Sequence, residues 1–198
     1  LLVFDGDDGG LLRVQMARAL GTLNEPAFRP YLLQLMRDPS TVVAGPAIES
    51  GGVTRDPEFV PYLIDLLAVS TFRGVALQAL VTYGAQIQGA LQKTLLEDAG
   101  NIVIKQTLPR ILRQIANQTS IEILLGALDQ VQPALQYPII KALNKLRLYP
   151  QLEIDEERIN ASLIHEAQTY YEMQTIRQLP WEDSSSVQLL SRSLLDRQ

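Results

Sequence analysis

The sequence predicts an all-α protein: a right-handed α-solenoid of about five stacked helix pairs, followed by further helices at its carboxyl end. Three observations carry this expectation. Pro26-Ala27-Phe28-Arg29-Pro30-Tyr31-Leu32-Leu33-Gln34-Leu35 returns thirty-one residues later as Pro57-Glu58-Phe59-Val60-Pro61-Tyr62-Leu63-Ile64-Asp65-Leu66, with six of ten positions identical. A period of that size marks stacked supersecondary units, each burying its apolar face against the next. A second register, Arg13, Val43, Arg73, Lys105 and Gln136, recurs at 30, 30, 32 and 31 residues. No period-2 alternation is long enough to argue for a sheet.

That second register heads the second helix of each unit. Three residues on lie Met16, Pro46, Ala76, Leu108 and Ile139, four on Ala17, Ala47, Leu77, Pro109 and Ile140, and seven on Leu20, Ser50, Leu80, Leu112 and Leu143. Small or apolar residues at these spacings form one helical stripe. The first helices are expected at roughly 27–37, 58–68, 88–97 and 120–130, with Leu1–Phe4 the remnant of an earlier one. Thr119-Ser120-Ile121-Glu122 fits a capping box, Asp38-Pro39-Ser40 a turn, and Tyr149-Pro150 a stop. Pro109 and Pro138 fall inside second helices, where proline is expected to bend or shorten them.

These units, and above all Arg13-Val14-Gln15-Met16-Ala17-Arg18-Ala19-Leu20-Gly21 and Phe28-Arg29-Pro30-Tyr31-Leu32 with Asp38-Pro39, resemble HEAT repeats over about residues 1–148. The resemblance implies a curved, armadillo-like helical array serving as a scaffold or binding surface, with second-helix faces on its concave wall. Leu108-Pro109-Arg110-Ile111-Leu112, Ala142-Leu143-Asn144-Lys145-Leu146-Arg147 and Ile164-His165-Glu166 with Tyr170 resemble, more narrowly, the cytosolic HEAT region of bacterial major-facilitator or ATP/ADP-carrier-like transporters.

Two regions are expected: a repeat array over 1–150 and a helical extension over 151–198, where the period is lost. Asp155-Glu156-Glu157 opens a longer helix reaching about Gln178, acids at the end the macrodipole favours. Apolar stripes at both ends, including Leu189, Leu190, Leu194 and Leu195, suggest a piece of something longer. Hydrophobic residues make up 46% of the chain, enough for a continuous core, and no apolar run reaches the eighteen or so residues of a membrane span. With no cysteine, and with no signal peptide expected from the opening Leu1-Leu2-Val3-Phe4, the expected location is cytoplasmic, or the inner face of a membrane through the rest of the chain.

The net charge of −5 is unevenly placed: residues 1–98 carry 7 bases and 11 acids, 99–150 carry 6 and 2, and 151–198 carry 4 and 9. That is not the profile of a nucleic-acid binder, but it leaves a basic middle. Arg110 and Arg113 share one second helix, with Lys141, Lys145 and Arg147 on the next. The column at +5 (Arg18, Ile48, Gln78, Arg110, Lys141) is expected to face away from the apolar stripe. Arg18, Arg110, Arg113, Lys141, Lys145 and Arg147 are therefore the candidate interaction surface. Glu49 is a polar anomaly at an apolar position; a helix broken around Gly45, Pro46, Gly51 and Gly52 would leave it in water.

No catalytic, cofactor or metal site is expected. Asp5-Gly6-Asp7-Asp8-Gly9-Gly10 has glycine and methionine where a calcium loop starting at Asp5 needs its fifth and twelfth ligands, so it fits an inter-helix turn. His165 is the single histidine, too few for the paired His-Glu iron sites of a HEAT-like hydroxylase. The expected function is a non-catalytic interaction or regulatory scaffold whose partner is a protein, another domain of the same chain, or an anionic ligand or membrane surface. The alternative is a HEAT-like enzyme or nucleic-acid binder of bilin-lyase or alkylated-base-glycosylase type.

Overall fold

The computed structural model describes residues 7–128, 130–153, 157 and 164, and among these every regular element is a helix. The second helices are α1 (Asp7–Leu23), α3 (Thr41–Thr54), α5 (Arg73–Thr82), α7 (Ile102–Ile115) and α9 (Pro133–Leu146). The first helices are α2 (Arg29–Met36), α4 (Val60–Leu66), α6 (Gln88–Leu96) and α8 (Gln118–Leu128). Single 3₁₀ turns at Pro26–Phe28, Pro57–Phe59 and Gly84–Ile87 lead into α2, α4 and α6. Proline suits the first two of these entries because its missing N–H falls among donors that have no intrahelical partner.

The helices stack in two layers. α1, α3, α5, α7 and α9 pack on one another in succession, and each of α2, α4, α6 and α8 packs on the second helix that follows it. One apolar core runs from Val14 to Leu146, with Leu63, Leu80, Leu91, Leu108, Leu112, Ile121 and Leu143 fully removed from solvent. This is the α-solenoid that the thirty-one-residue period predicts.

α1 and α3 meet at backbone distance. A methyl group on Gly21 would stand 2.6 Å from Ser50 Cβ, and one on Gly52 would stand 2.7 Å from Ala79 Cα in α5. Close packing accounts for Ser50 at a position where other units place leucine.

Several helix ends are closed by the stack itself. The hydroxyl of Tyr83 lies 3.0 Å from the Gly51 carbonyl and 2.9 Å from that of Asp56, and the Thr82 hydroxyl donates to Gly52 O at 2.7 Å. One unit earlier, Tyr62 donates to Met36 O at the end of α2 (3.2 Å). The cations heading the second-helix column reach back in the same way. Arg73 donates to Leu67 O and Ala68 O beyond α4, at 2.7 and 3.3 Å, and the buried Lys105 donates to Glu97 O beyond α6. Side chains from later in the chain thus bond carbonyls at or beyond helix ends, where intrahelical donors run out. α1, α3 and α7 all stop at a left-handed residue: Asn24, Arg55 and Ala116 have φ of 50°, 53° and 51°.

Four expectations need correction. The cap of α8 is Asn117, whose Oδ1 accepts from the Ser120 amide at 2.9 Å, so Thr119 does not open a capping box. Asn117 also belongs to a buried network in which Gln88 Nε2 donates to Asn117 Oδ1 (2.7 Å) and Ser120 Oγ (2.8 Å), fixing that amide as a cap. The prolines do not shorten their helices: α3, α7 and α9 contain Pro46, Pro109 and Pro138 and are 14 residues each, while α5, free of proline, has 10. Packing from both sides holds a helix across one missing hydrogen bond. Likewise α3 is unbroken around its glycines. Asp7–Gly10 forms the first turn of α1 instead of an inter-helix turn; Asp5 and Gly6 lie outside the described residues. Of the segment 151–198, only 151–153, Glu157 and Ile164 are described, so Asp155, Glu156, His165 and the last expected helix lie outside.

Candidate functional site

The second-helix layer carries two adjoining cavities on its outer side. The larger, about 420 Å³, lies where α7 meets α9 and is lined by Gln106, Arg110, Arg113, Tyr137, Pro138, Lys141 and Ala142. The other, about 410 Å³, lies where α5 meets α7 and includes Ser70, Arg73, Gln78, Gln106, Thr107 and Arg110. Gln106 and Arg110 line both, so the two halves form one groove across α5, α7 and α9.

The repeat builds this groove. One residue past each column head come Gly74, Gln106 and Tyr137; one turn further come Gln78, Arg110 and Lys141. Residues four apart on a helix lie on one face, so the +1 and +5 columns of three consecutive units make a continuous wall. Leu108, Ile111 and Leu112, fully buried on the opposite side of α7, anchor that helix and set the direction of Arg110.

The two ends of the groove differ in charge. At the α7–α9 end, Arg110 and Lys141 are exposed and Arg113 is half-buried. Among the described residues none of the three has a carboxylate within ion-pair distance, and no acid lines either cavity. Lys141 Nζ lies 5.9 Å from the centre of the Tyr137 ring, itself 62% exposed, a cation–π distance that seats the ammonium on the wall. At the α5–α7 end the cations are Arg73 and Arg110, and the Arg73 guanidinium is engaged by Leu67 O and Ala68 O. There the Gln78 and Gln106 side chains are exposed, with no hydrogen-bond partner among the described residues.

Of the six candidate cations, then, the structure brings Arg110, Arg113 and Lys141 together. Lys145 is exposed on α9 one turn beyond Lys141, and Arg147 is exposed at the end of that helix; neither lines the groove. Arg18 is exposed on α1, at the far end of the layer. The +5 column is not uniformly outward: Ile48 is fully buried. Helix α3 is packed by α1, α2 and α5 and buries residues on both faces, which turns its +5 position inward. Glu49 is exposed on that unbroken helix and sits in neither cavity. Gln106 and Tyr137 are not among the residues that sequence reasoning singles out; the +1 column, next to the register that heads each second helix, is the signal that finds them.

No described helix is long and apolar enough to cross a membrane. No curated protein matches the chain. Residues 4–81 match the family model of HEAT repeats, a match that ends before Arg110, Arg113 and Lys141 and carries no pointer to a transporter-associated domain. With that match over α1–α5 and the same two-layer stacking continued through α9, the fold is a HEAT-like α-solenoid.

Proposed function

We propose that the protein is a non-catalytic interaction scaffold whose second-helix wall docks an acidic segment, from a protein partner or from another domain of the same chain. The observation that carries this reading is the meeting of Arg110, Arg113 and Lys141 on one cavity with no carboxylate paired to any of them among the described residues. Cations on one wall with no local counter-charge raise the local potential and steer anionic partners toward it. The match to HEAT repeats supports the same reading, since such repeats generally mediate protein interactions.

A fluorescein-labelled, glutamate-rich helical peptide is a suitable probe. Its anisotropy should rise with added protein at low salt, and the affinity should fall as salt screens charges beyond about 8 Å. Arg110→Glu with Lys141→Glu should abolish that binding and leave the helical circular-dichroism signal unchanged. Equal binding by the double variant and the parent would reduce the groove to a solvated face.

A further inference from the structure

The two ends of the groove differ in chemistry, and that difference specifies the ligand more narrowly than acidity does. At the α7–α9 end, Arg110, Arg113 and Lys141 place three cations around one cavity of about 420 Å³. A carboxylate brings one negative charge to such a cluster. A phosphomonoester brings about −1.5 to −2 and three acceptor oxygens, as many oxygens as there are cations. Guanidinium forks match phosphate oxygens in pairs, and two of the three cations are arginines. The second half of the groove, about 410 Å³, offers the amides of Gln78 and Gln106, each able to donate and accept at once, as a peptide group requires.

We propose that the groove takes a phosphorylated side chain on an extended segment of a partner protein. The phosphoryl group sits among Arg110, Arg113 and Lys141, and the neighbouring peptide groups lie along Gln106 and Gln78. The Tyr137 ring flanks the phosphoryl end, holding Lys141 against the wall through its 5.9 Å cation–π contact. Gln106 and Arg110, which line both halves, place phosphoryl and backbone contacts on one continuous ligand. This proposal rests on the interaction-scaffold reading and adds to it dependence on phosphorylation.

The experiment uses the whole chain, isotope-labelled, followed by amide chemical shifts. Three alanine–glycine heptapeptides with a central phosphoserine, glutamate or serine are titrated beside inorganic phosphate. The phosphoserine peptide should bind about tenfold or more tightly than the glutamate peptide, with shifts centred on residues 106–113 and 137–142. Arg113→Gln should erase most of that preference. Gln78→Ala with Gln106→Ala should weaken the phosphopeptide several-fold and leave inorganic phosphate unaffected.

If the glutamate peptide binds as tightly as the phosphopeptide, the phosphate inference falls while the acidic-segment reading stands. If inorganic phosphate competes as well as the phosphopeptide does, the half that holds Gln78 contributes nothing and the peptide assignment falls. If vesicles bearing phosphoinositide headgroups outcompete the phosphopeptide, the ligand is a membrane surface and the proposal is wrong. Silence from every probe, the glutamate-rich helix included, overturns both readings.

Discussion

Tyr83 shows how much one polar atom can carry in a core made almost wholly of aliphatic side chains. Its hydroxyl is within hydrogen-bonding distance of Gly51 O and Asp56 O, two carbonyls at and just beyond the end of α3 that also accept from Thr54 Oγ1 and the Phe59 amide. Burial first, and the nearby Asp56 carboxylate second, raise its pKa above the ordinary 10.0. Tyr83→Phe should cost about 0.5–1.5 kcal/mol at neutral pH, the worth of one buried hydrogen bond, since both carbonyls keep a second donor. The folded state holds this proton more tightly than the unfolded chain does. The stabilisation is therefore complete below pH 10.0 and declines above it, as the unfolded tyrosine ionises first. Urea melts from pH 7 to 11 should show the gap between parent and Tyr83→Phe closing at the alkaline end; a constant gap contradicts the buried placement. Gly52 is a second single-atom constraint. Gly52→Ala forces a methyl group to 2.7 Å from Ala79 Cα, a backbone atom with no freedom to turn aside, and should cost about 1–3 kcal/mol in the same melts.

Among elements, the second helices bear most of the packing, as the succession α1 to α3 to α5 to α7 to α9 shows. Leu80 in α5 and Leu112 in α7 are fully buried at equivalent positions of successive units. Either residue replaced by alanine should lower stability by about 2–5 kcal/mol, and hydrogen exchange should quicken in the adjoining helices as well as its own. Exchange confined to the mutated helix would mean that the units do not support one another. The second helices are legible in the sequence because apolar side chains at +3, +4 and +7 must face neighbouring helices in every unit. What surrounds a column is less legible. Glu49 looks anomalous in sequence because position +6 is apolar and buried in later units, as Ala79, Ile111 and Ala142 show, yet in α1 and α3 that position faces water. Helix periodicity gives a stripe its direction but not its width; the width depends on how closely neighbours approach, which Gly21, Ser50 and Gly52 decide in three dimensions. The groove is half legible for the same reason. Arg110, Arg113 and Lys141 stand out by charge, while Gln106 and Tyr137, being neutral, stand out only once the helices are laid side by side.

Taken whole, the molecule has one layer that faces outward with a charged groove and another that pins it in place. The groove spans three units, so its shape depends on the α5–α7 and α7–α9 packings together. Leu112→Ala should then weaken capture of the glutamate-rich peptide even though Leu112 lines neither cavity, and peptide affinity measured beside stability should fall in step. Loss of stability with affinity untouched would show the groove to be local to each helix pair.

The closure of helix ends gives the stack a direction. Tyr62 serves the end of α2 from α4, and Thr82 and Tyr83 serve the end of α3 from α5 and the turn just after it. The ends of α2 and α3 are thus closed by the unit that follows in the chain, whereas those of α4 and α6 are closed by Arg73 and Lys105 of the same unit. Damage should therefore travel backwards: Tyr62→Phe should speed exchange around Met36, and Tyr83→Phe around Gly51, each in a helix that precedes the substituted residue. During synthesis the same order means that α2 and α3 leave the ribosome without these bonds, and gain them only when the next unit arrives.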